Sequence, residues 1–145
     1  MGTRSTVKFY EWRNGAKYLL ASIYQQYDGY IEGIGHDLAR FLSQKQLING
    51  IPGGIDTRDS HYANGPGCLA AQYIAQNKTE IGDLYMTTED DEQEYNYEVY
   101  VDMAQYFNNP ENCVPWIEVR VGEKENHLIF EGTPEELLNF KEDED

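Results

Sequence analysis

Cys68 is the side chain in this sequence best suited to nucleophilic chemistry. It follows Gly65-Pro66-Gly67 at the start of a predicted helix, where unpaired backbone amides and the helix dipole would stabilise a thiolate. His36 or His61 could act as the base and Asp28 could orient it, as in a cysteine-dependent hydrolase. A lone cysteine is more commonly a small buried apolar residue, so the pattern favours a structural Cys68 and a protein that is not an enzyme.

The histidines and carboxylates are spaced too widely to indicate a metal site. The possible ligands lack the close spacings that mark zinc-binding sequences, and they are His36, His61, Asp28 and Asp37. The chain also lacks a phosphate-binding Gly-rich loop with its lysine, a pair of metal ligands on one helix face and a nucleophile elbow. We therefore predict no metal and no cofactor.

A set of arginine, amide, tyrosine and glycine residues suits the binding of a small anion better. Arg4 can donate two hydrogen bonds to a phosphate or carboxylate, and a helix N-terminus preceded by glycines offers free backbone N–H groups. The tyrosines of segment 24–30 could stack on a base or sugar, although tyrosine is equally common at the edge of a core with its hydroxyl exposed. The predicted ligand-binding residues are Arg4, Tyr24, Gln26, Tyr27, Asp28, His36, Asn64, Gly65 and Gly67.

These residues are predicted to surround one concave surface. The strand that ends near Gln26 would deliver Asp28 to the end of the domain where the first helix begins, beside His36. The glycine-rich loop at Asn64 must return to the same end to begin the second helix. Two helix N-termini, each with unpaired amides, would then face one space and attract an anion.

Length and composition are those of a single domain that needs no disulfide support. The 145 residues include two cysteines, and no apolar run approaches the roughly 18 residues of a membrane span. We expect one domain over residues 1–141 and an acidic tail at 142–145, in the cytoplasm. We expect no membrane association, and the sequence is compatible with an oligomer.

The acidity is concentrated in the second half of the chain. Residues 1–75 carry seven Lys and Arg and six Asp and Glu, for a net charge of +1, whereas residues 76–145 carry four and twenty, for −16, which together give −15. This balance argues against direct binding to nucleic acid, whose phosphates require a basic patch. It permits a surface of carboxylates that imitates phosphates and binds a basic host protein, although a solvated acidic face is the simpler interpretation.

A β-hairpin is predicted at the start of the chain. Residues 3–12 and 18–26 are rich in β-branched and aromatic residues, and Asn14-Gly15 between them is a two-residue turn whose positive φ angles these residues tolerate. The residues expected on the buried face of the hairpin are Val7, Phe9, Leu19, Ala21 and Ile23.

The spacing of apolar residues predicts two main helices and a short third one. The first covers 34–47 and is ended by Asn49-Gly50, and the second covers 67–78. Residues 49–67 between them form an unusually long glycine-rich loop. A capping box with proline at the first helical position, Thr133-Pro134-Glu135-Glu136, begins the C-terminal helix.

The remaining strands are predicted by alternation and by turn residues. Residues 83–88 and 95–102 indicate strands, and residues 116–121 and 127–131 indicate a second hairpin across the turn at 122–126. Tight hairpins and the lack of a βαβ rhythm predict an α+β fold. Its mostly antiparallel sheet of about six strands carries two main helices on one face and a short C-terminal helix.

Four motifs within residues 2–100 carry a resemblance to a known family. They are Gly2-Thr3-Arg4-Ser5, Tyr24-Gln25-Gln26-Tyr27-Asp28-Gly29-Tyr30, Gly33-Ile34-Gly35-His36-Asp37-Leu38 and Ala63-Asn64-Gly65-Pro66-Gly67-Cys68-Leu69-Ala70-Ala71. Together they resemble a family of small uncharacterised proteins of bacteriophages, large viruses and bacteria. The resemblance implies a viral or mobile-element accessory protein and implies no particular reaction.

Two functions from different classes remain open on the sequence. The first is a module that binds a small anionic, nucleotide-like ligand between segment 24–36 and segment 61–68. The second is an acidic interaction protein whose carboxylates imitate phosphates and inhibit a host DNA-binding or defence enzyme. A cysteine-dependent hydrolase is a third possibility.

Overall fold

The computed structural model describes residues 2–51, 53–122 and 127–142. It contains eight strands and four α-helices within those ranges. The strands are β1 Ser5–Arg13, β2 Ala16–Gln25, β3 Gln46–Ile48, β4 Tyr62–Asn64, β5 Leu84–Met86, β6 Tyr95–Val101, β7 Trp116–Val121 and β8 His127–Gly132. The helices are α1 His36–Ser43, α2 Gly65–Asn77, α3 Met103–Asn108 and α4 Pro134–Leu138.

Six strands form one sheet in the order β5-β2-β1-β6-β7-β8. All neighbouring pairs are antiparallel except β1 and β6 at the centre, which run parallel. The α+β fold with a mostly antiparallel six-stranded sheet is therefore as predicted, but the parallel pair at the centre was not expected. It arises because the chain leaves β2, passes through the helices, forms the edge strand β5 and returns on the far side of β1.

The first hairpin confirms the predicted turn and corrects part of the predicted register. Asn14 and Gly15 have φ angles of 52° and 80°. Val7 lies opposite Ile23 as expected, but a bulge leaves Leu20 without a partner. Leu19 therefore lies opposite Tyr10, on the face opposite to the predicted one. A bulge inserts one extra residue into one strand only. Along that strand, every residue beyond the bulge therefore lies on the face opposite to the one that simple alternation predicts.

The first helix is shorter than predicted and begins differently. A π-helical turn, Ile31–Gly35, leads into α1, which ends at Ser43. Residues predicted to complete the helix instead form β3, which pairs in parallel with β4. Backbone pairing between β3 and β4 thus takes the place of the last turn of the predicted helix. Gly50 has a φ of 87°, but it follows β3 and does not end a helix as predicted.

The other helices agree more closely with the sequence pattern. α2 begins two residues earlier than predicted. The capping box of α4 is present, because the Thr133 hydroxyl accepts from Glu136 N and the Glu136 carboxylate accepts from Thr133 N. A short α3 and a 3-10 turn, Pro110–Asn112, lie between β6 and β7, where the sequence pattern predicted no helix or strand. The side chain of Asp102 begins α3 by accepting a hydrogen bond from Ala104 N at 2.9 Å.

Helices pack against one face of the sheet, and the core lies between them. Val7 and Val99 of the central strands are fully buried on this face. The ring of Tyr73 from α2 lies 5.5 Å from the ring of Phe9 and 5.3 Å from that of Phe41 in α1. Burying an aromatic ring of this size stabilises the fold by about 1.5–3 kcal/mol. None of the described helices is long and apolar enough to cross a membrane.

The opposite face of the sheet carries no helix layer, and we call it the open face. Because side chains alternate along a strand, this face is formed by every second residue of each strand, and β1, β6 and β7 contribute most of the residues discussed below. Its residues on these three strands are Thr6, Lys8, Tyr10 and Trp12 of β1, Asn96, Glu98 and Tyr100 of β6, and Trp116, Glu118 and Arg120 of β7.

Candidate functional site

The residues predicted to bind an anion make different structural contacts and do not all line one cavity. Asn64 and Cys68 line a cavity of about 200 Å³ beside Arg58 and the loop that precedes β4. Neither Arg4 nor His36 lines this cavity. The Asn64 side chain accepts a hydrogen bond from Gly50 N at 2.8 Å, so it holds the loop closed at the start of α2.

His36 and Asp28 support the backbone around α1. His36 Nε2 lies 2.9 Å from the carbonyl oxygen of Phe140, which ties the start of α1 to the C-terminal segment. Asp28 adopts a left-handed conformation with φ of 60°, and its carbonyl accepts from Ile34 N at 2.7 Å. The cavity at Asn64 includes neither residue, so the predicted concave surface is not assembled there.

Segment 24–30 is anchored in the core by its backbone and by one amide. Gln25 accepts a buried hydrogen bond from the Tyr73 hydroxyl at 2.9 Å, and the Gly29 carbonyl accepts one from Tyr97 at 2.7 Å. Tyr27 remains 56% exposed. The segment therefore connects the hairpin to the helices, and only part of it faces outward.

The nucleophile arrangement proposed from the sequence is not formed among the described residues. No hydrogen bond there joins Cys68 to His36 or His61, and the His61 ring lies 5.1 Å from that of Tyr62. In the same part of the chain, no three His, Cys, Asp or Glu side chains converge as a metal site.

A cleft of about 510 Å³ on the open face is the strongest candidate site, and we call it the aromatic cleft. It lies where β6 ends and α3 begins, and a volume of this size is typical of ligand sites. Its lining residues are Trp12, Lys17, Tyr100, Asp102, Gln105, Trp116 and Glu118.

Strand order creates this cleft. Trp12 lies one residue before the end of β1, while Tyr100 and Trp116 lie opposite each other on β6 and β7. Trp12 is 39% exposed and Trp116 is 42% exposed, which is unusual for such large apolar side chains. Exposed aromatic residues that line one cleft indicate a binding surface rather than a core.

The rings form an ordered group and do not merely lie near one another. Tyr10 and Tyr100 stack with ring centroids 5.2 Å apart and planes 13° apart. Trp12 meets Tyr100 edge to face at 6.3 Å. Burial, and next the charge of Glu98, raise the pKa of both Tyr10 and Tyr100, so both hydroxyls stay neutral at physiological pH.

A lysine of the protein already makes a cation–π contact at this surface. Lys17 Nζ lies 4.7 Å from the centre of the Tyr10 ring and 5.9 Å from that of Tyr100. It is also 3.7 Å from a carboxylate oxygen of Glu98. The negative faces of the rings and the carboxylate together attract a positive charge.

Arg120 is held by two carboxylates on the same face. Its Nε lies 3.1 Å from Glu98 and its Nη2 lies 2.6 Å from Glu118. This arrangement engages the guanidinium within the protein. Its charge is consequently partly neutralised before any ligand arrives.

Residues 87–93, which we call the acidic strap, cover the other half of the open face. Lys8 is only 4% exposed, and its Nζ donates to the carbonyl oxygen of Asp91 at 2.6 Å. Burial lowers the pKa of Lys8, against the opposing effect of Glu98 and the strap carboxylates. Asn96 accepts from Gln93 N and donates to Gln93 O, which fixes the end of the strap.

The strap adds carboxylates close to the aromatic cleft. Glu89 and Glu92 line a polar cavity of about 190 Å³, together with Lys17 and Arg120. Lys17 also lines the aromatic cleft, so the two spaces are neighbours. The basic side chains at this surface each contact a carboxylate or a backbone carbonyl, and they are Lys8, Lys17 and Arg120. Asp102 and the carboxylates of the strap add further negative charge around the cleft.

Comparison with protein-family models, curated proteins and solved structures finds no match to this chain. The resemblance to phage and viral proteins therefore stays an expectation that depends on the four motifs. The site must be interpreted from its own geometry.

Sequence reasoning missed the aromatic cleft, although a signal was present. Residues 95–102 show the alternation of a strand with one exposed face, and that face carries Tyr100. Trp12 and Trp116 also occupy the outward positions of their strands. Large aromatic residues on the polar face of a strand are the feature that could have indicated this site.

Proposed function

We propose that this protein is an acidic interaction protein that binds a basic partner protein on the open face of its sheet. The observation that carries the proposal is the aromatic cleft with carboxylates at its margin. Trp12 and Trp116 supply exposed apolar surface, while Asp102 and Glu118 supply negative charge in the same space. Aromatic anchors with complementary charge are the usual composition of strong contact points in protein interfaces.

The charge of the whole chain supports the same partner. A net charge of −15 creates a field that draws basic proteins toward the surface and repels nucleic acid. The strap contains four consecutive acidic residues, Glu89-Asp90-Asp91-Glu92, of which Glu89 and Glu92 line the polar cavity beside the aromatic cleft. Such a field increases the association rate. Dissolved salt screens the field, so at physiological ionic strength it extends only about 8–10 Å from the surface.

Isothermal titration with a flexible synthetic peptide of Arg, Lys and Gly would test this proposal. We expect binding that weakens several-fold between about 50 and 500 mM salt, because exposed charges are screened over that range. Trp116→Ala should weaken binding about tenfold or more, the loss expected for an aromatic anchor. Tyr18→Ala, which removes a 46% exposed ring from the face of β2 opposite to Lys17, is the matched control and should leave affinity unchanged.

A charge-matched pair separates site-specific binding from general acidity. Glu118→Gln and Glu135→Gln each remove one negative charge, but only Glu118 lines the aromatic cleft. Equal losses from both variants, together with no effect of Trp116→Ala, would show that the peptide merely follows the overall charge. The proposal would then be wrong.

A second candidate function is favoured by the cavity beside α2. Asn64, Cys68 and Arg58 line that cavity, which lies at the N-terminal end of α2. A small anionic, nucleotide-like ligand would meet the Arg58 guanidinium and the Asn64 side-chain amide there. Thermal unfolding at low salt with mono-, di- and cyclic nucleotides tests it, and stabilisation that disappears in Arg58→Ala would support it.

The wider biological setting remains part of the proposal. A viral or mobile-element accessory protein that acts in a host cytoplasm is what the four motifs imply. In that setting, the basic partner would be a host DNA-binding or defence enzyme, whose phosphate-binding surface the carboxylates of the open face would occupy.

A further inference from the structure

We infer that the aromatic cleft is an arginine pocket, which takes one guanidinium group of the basic partner between Trp12 and Trp116. This inference rests on the proposed function and specifies the side chain that anchors the partner. The cleft combines flat aromatic surfaces with carboxylates, and this pairing distinguishes a guanidinium from an ammonium.

The walls of the cleft suit a planar cation. Trp12 and Trp116 contribute exposed indole rings, and Tyr100 lies between them in the strand order. A guanidinium can stack flat on an indole and keep its in-plane N–H groups free for hydrogen bonds. An ammonium is more strongly hydrated and loses more when the ring displaces its water.

The carboxylates have acceptor oxygens to offer such a group. Within the described residues, Asp102 uses Oδ1 to accept from Ala104 N, and Glu118 uses Oε1 to accept from Arg120. The second oxygen of each remains for a donor that enters the cleft. A guanidinium carries five N–H donors in one plane, so it can donate to either carboxylate while it stacks on a ring.

The protein's own cations use the same chemistry close by. Arg120 bridges Glu98 and Glu118 on the open face, and Arg13 places its guanidinium 4.3 Å above the ring of Tyr18 on the other face of the hairpin. Lys17 lies over the stacked tyrosines at the edge of the cleft. The Lys17 contacts show that this surface accommodates positive charge beside aromatic rings.

The charge of Lys17 should affect ligand binding in a way that a purely structural role of the cleft would not predict. Its ammonium lines the cleft and repels an incoming guanidinium, while its own contacts leave the side chain 44% exposed. Lys17→Gln removes that charge without emptying a core position. The variant should therefore bind an arginine ligand more tightly than the natural protein does.

The test uses three peptides that differ only at one central position, which is Arg, Lys or citrulline. Citrulline has nearly the shape of arginine without its charge. Calorimetry with the full chain should show that the Arg peptide binds about tenfold more tightly than either of the others, because only a guanidinium satisfies both the rings and the carboxylates. Trp12→Ala and Trp116→Ala should abolish this preference, Lys17→Gln should increase affinity several-fold, and Tyr18→Ala, on the opposite face of β2, should change neither.

The outcomes separate the two proposals. Equal binding of the Arg and Lys peptides, weakened alike by Trp116→Ala, would overturn the arginine pocket and leave the acidic interaction protein in place. Equal binding of Arg and citrulline would also overturn it, because charge would then contribute nothing. Absence of binding by both cationic peptides would overturn the proposed function itself, whereas unaltered unfolding temperatures of the variants would confirm that the losses come from the cleft.

Discussion

The Tyr97 hydroxyl donates a hydrogen bond of 2.7 Å to the backbone carbonyl of Gly29, 68 residues away in the sequence. Both groups are buried, and the bond connects the centre of β6 to the segment that links the first hairpin to α1. Burial raises the pKa of Tyr97, so the hydroxyl remains protonated and able to donate. Segment 24–30, which contains one of the four motifs, is thus held in place by a strand from the second half of the chain.

Tyr97→Phe should destabilise the protein by about 1–3 kcal/mol, because it leaves a buried carbonyl without its donor. Urea unfolding, followed by circular dichroism, would measure the change in the free energy of unfolding. Tyr30→Phe removes a hydroxyl whose contact with Asp28 is exposed and 3.5 Å long, so it should have little effect. Equal effects of the two variants would mean that the buried bond does not stabilise the fold.

Gly15→Val should destabilise the protein by about 1 kcal/mol or more, because Gly15 has a φ of 80° that a β-branched residue adopts only with strain. No atom lies within 4 Å of the Cβ that valine would add, so the cost is conformational and not steric. Gly53→Val meets the same open space without a positive φ and is the matched control. An unchanged melting temperature in Gly15→Val would contradict the turn assignment.

The two cysteines should differ in reactivity. Burial raises the pKa of the Cys113 thiol, so less thiolate is present at neutral pH and iodoacetamide should label it more slowly than free cysteine. For Cys68, the structural interpretation predicts labelling no faster than that of a free thiol. Single variants Cys68→Ala and Cys113→Ala allow each rate to be measured alone. Rapid labelling of Cys68 would return the nucleophile hypothesis to consideration.

Asp83 should stabilise the turn after α2 until the solution becomes strongly acidic. Hydrogen bonds from the Thr79 amide, and then from the Thr79 hydroxyl and Glu80 amide, hold the pKa of Asp83 below its usual value, against desolvation, which would raise it. Because the folded-state pKa is the lower one, this stabilisation is complete above the unfolded pKa and disappears as pH falls through the folded pKa.

Asp83→Asn is therefore expected to melt at a lower temperature than the natural protein at pH 7. This difference in melting temperature should narrow below pH 3.8, which is the ordinary pKa of an aspartate side chain. Thermal unfolding at a series of pH values would measure it. Asp37→Asn, which alters an exposed ion pair with Arg40, should produce a smaller difference at pH 7. A difference for Asp83→Asn that stayed constant down to pH 2 would contradict the linkage.

The sequence by itself determined the features that depend on neighbouring residues. The positive φ angles of Asn14-Gly15, the capping box at Thr133 and the alternation of β6 were all readable, because each follows from local backbone preferences or from one face of one element. These features were sufficient to predict the α+β class.

Tertiary structure alone decided which elements are neighbours, and hence where the candidate site lies. Periodicity indicates which face of a strand is buried but not which strand pairs with it, so the parallel contact of β1 with β6 could not be predicted. That contact brings Trp12 beside Tyr100, and β7 then adds Trp116. The aromatic cleft is therefore a product of long-range strand pairing, which no local pattern encodes, whereas the Asn14-Gly15 turn depends only on the backbone preferences of its own residues.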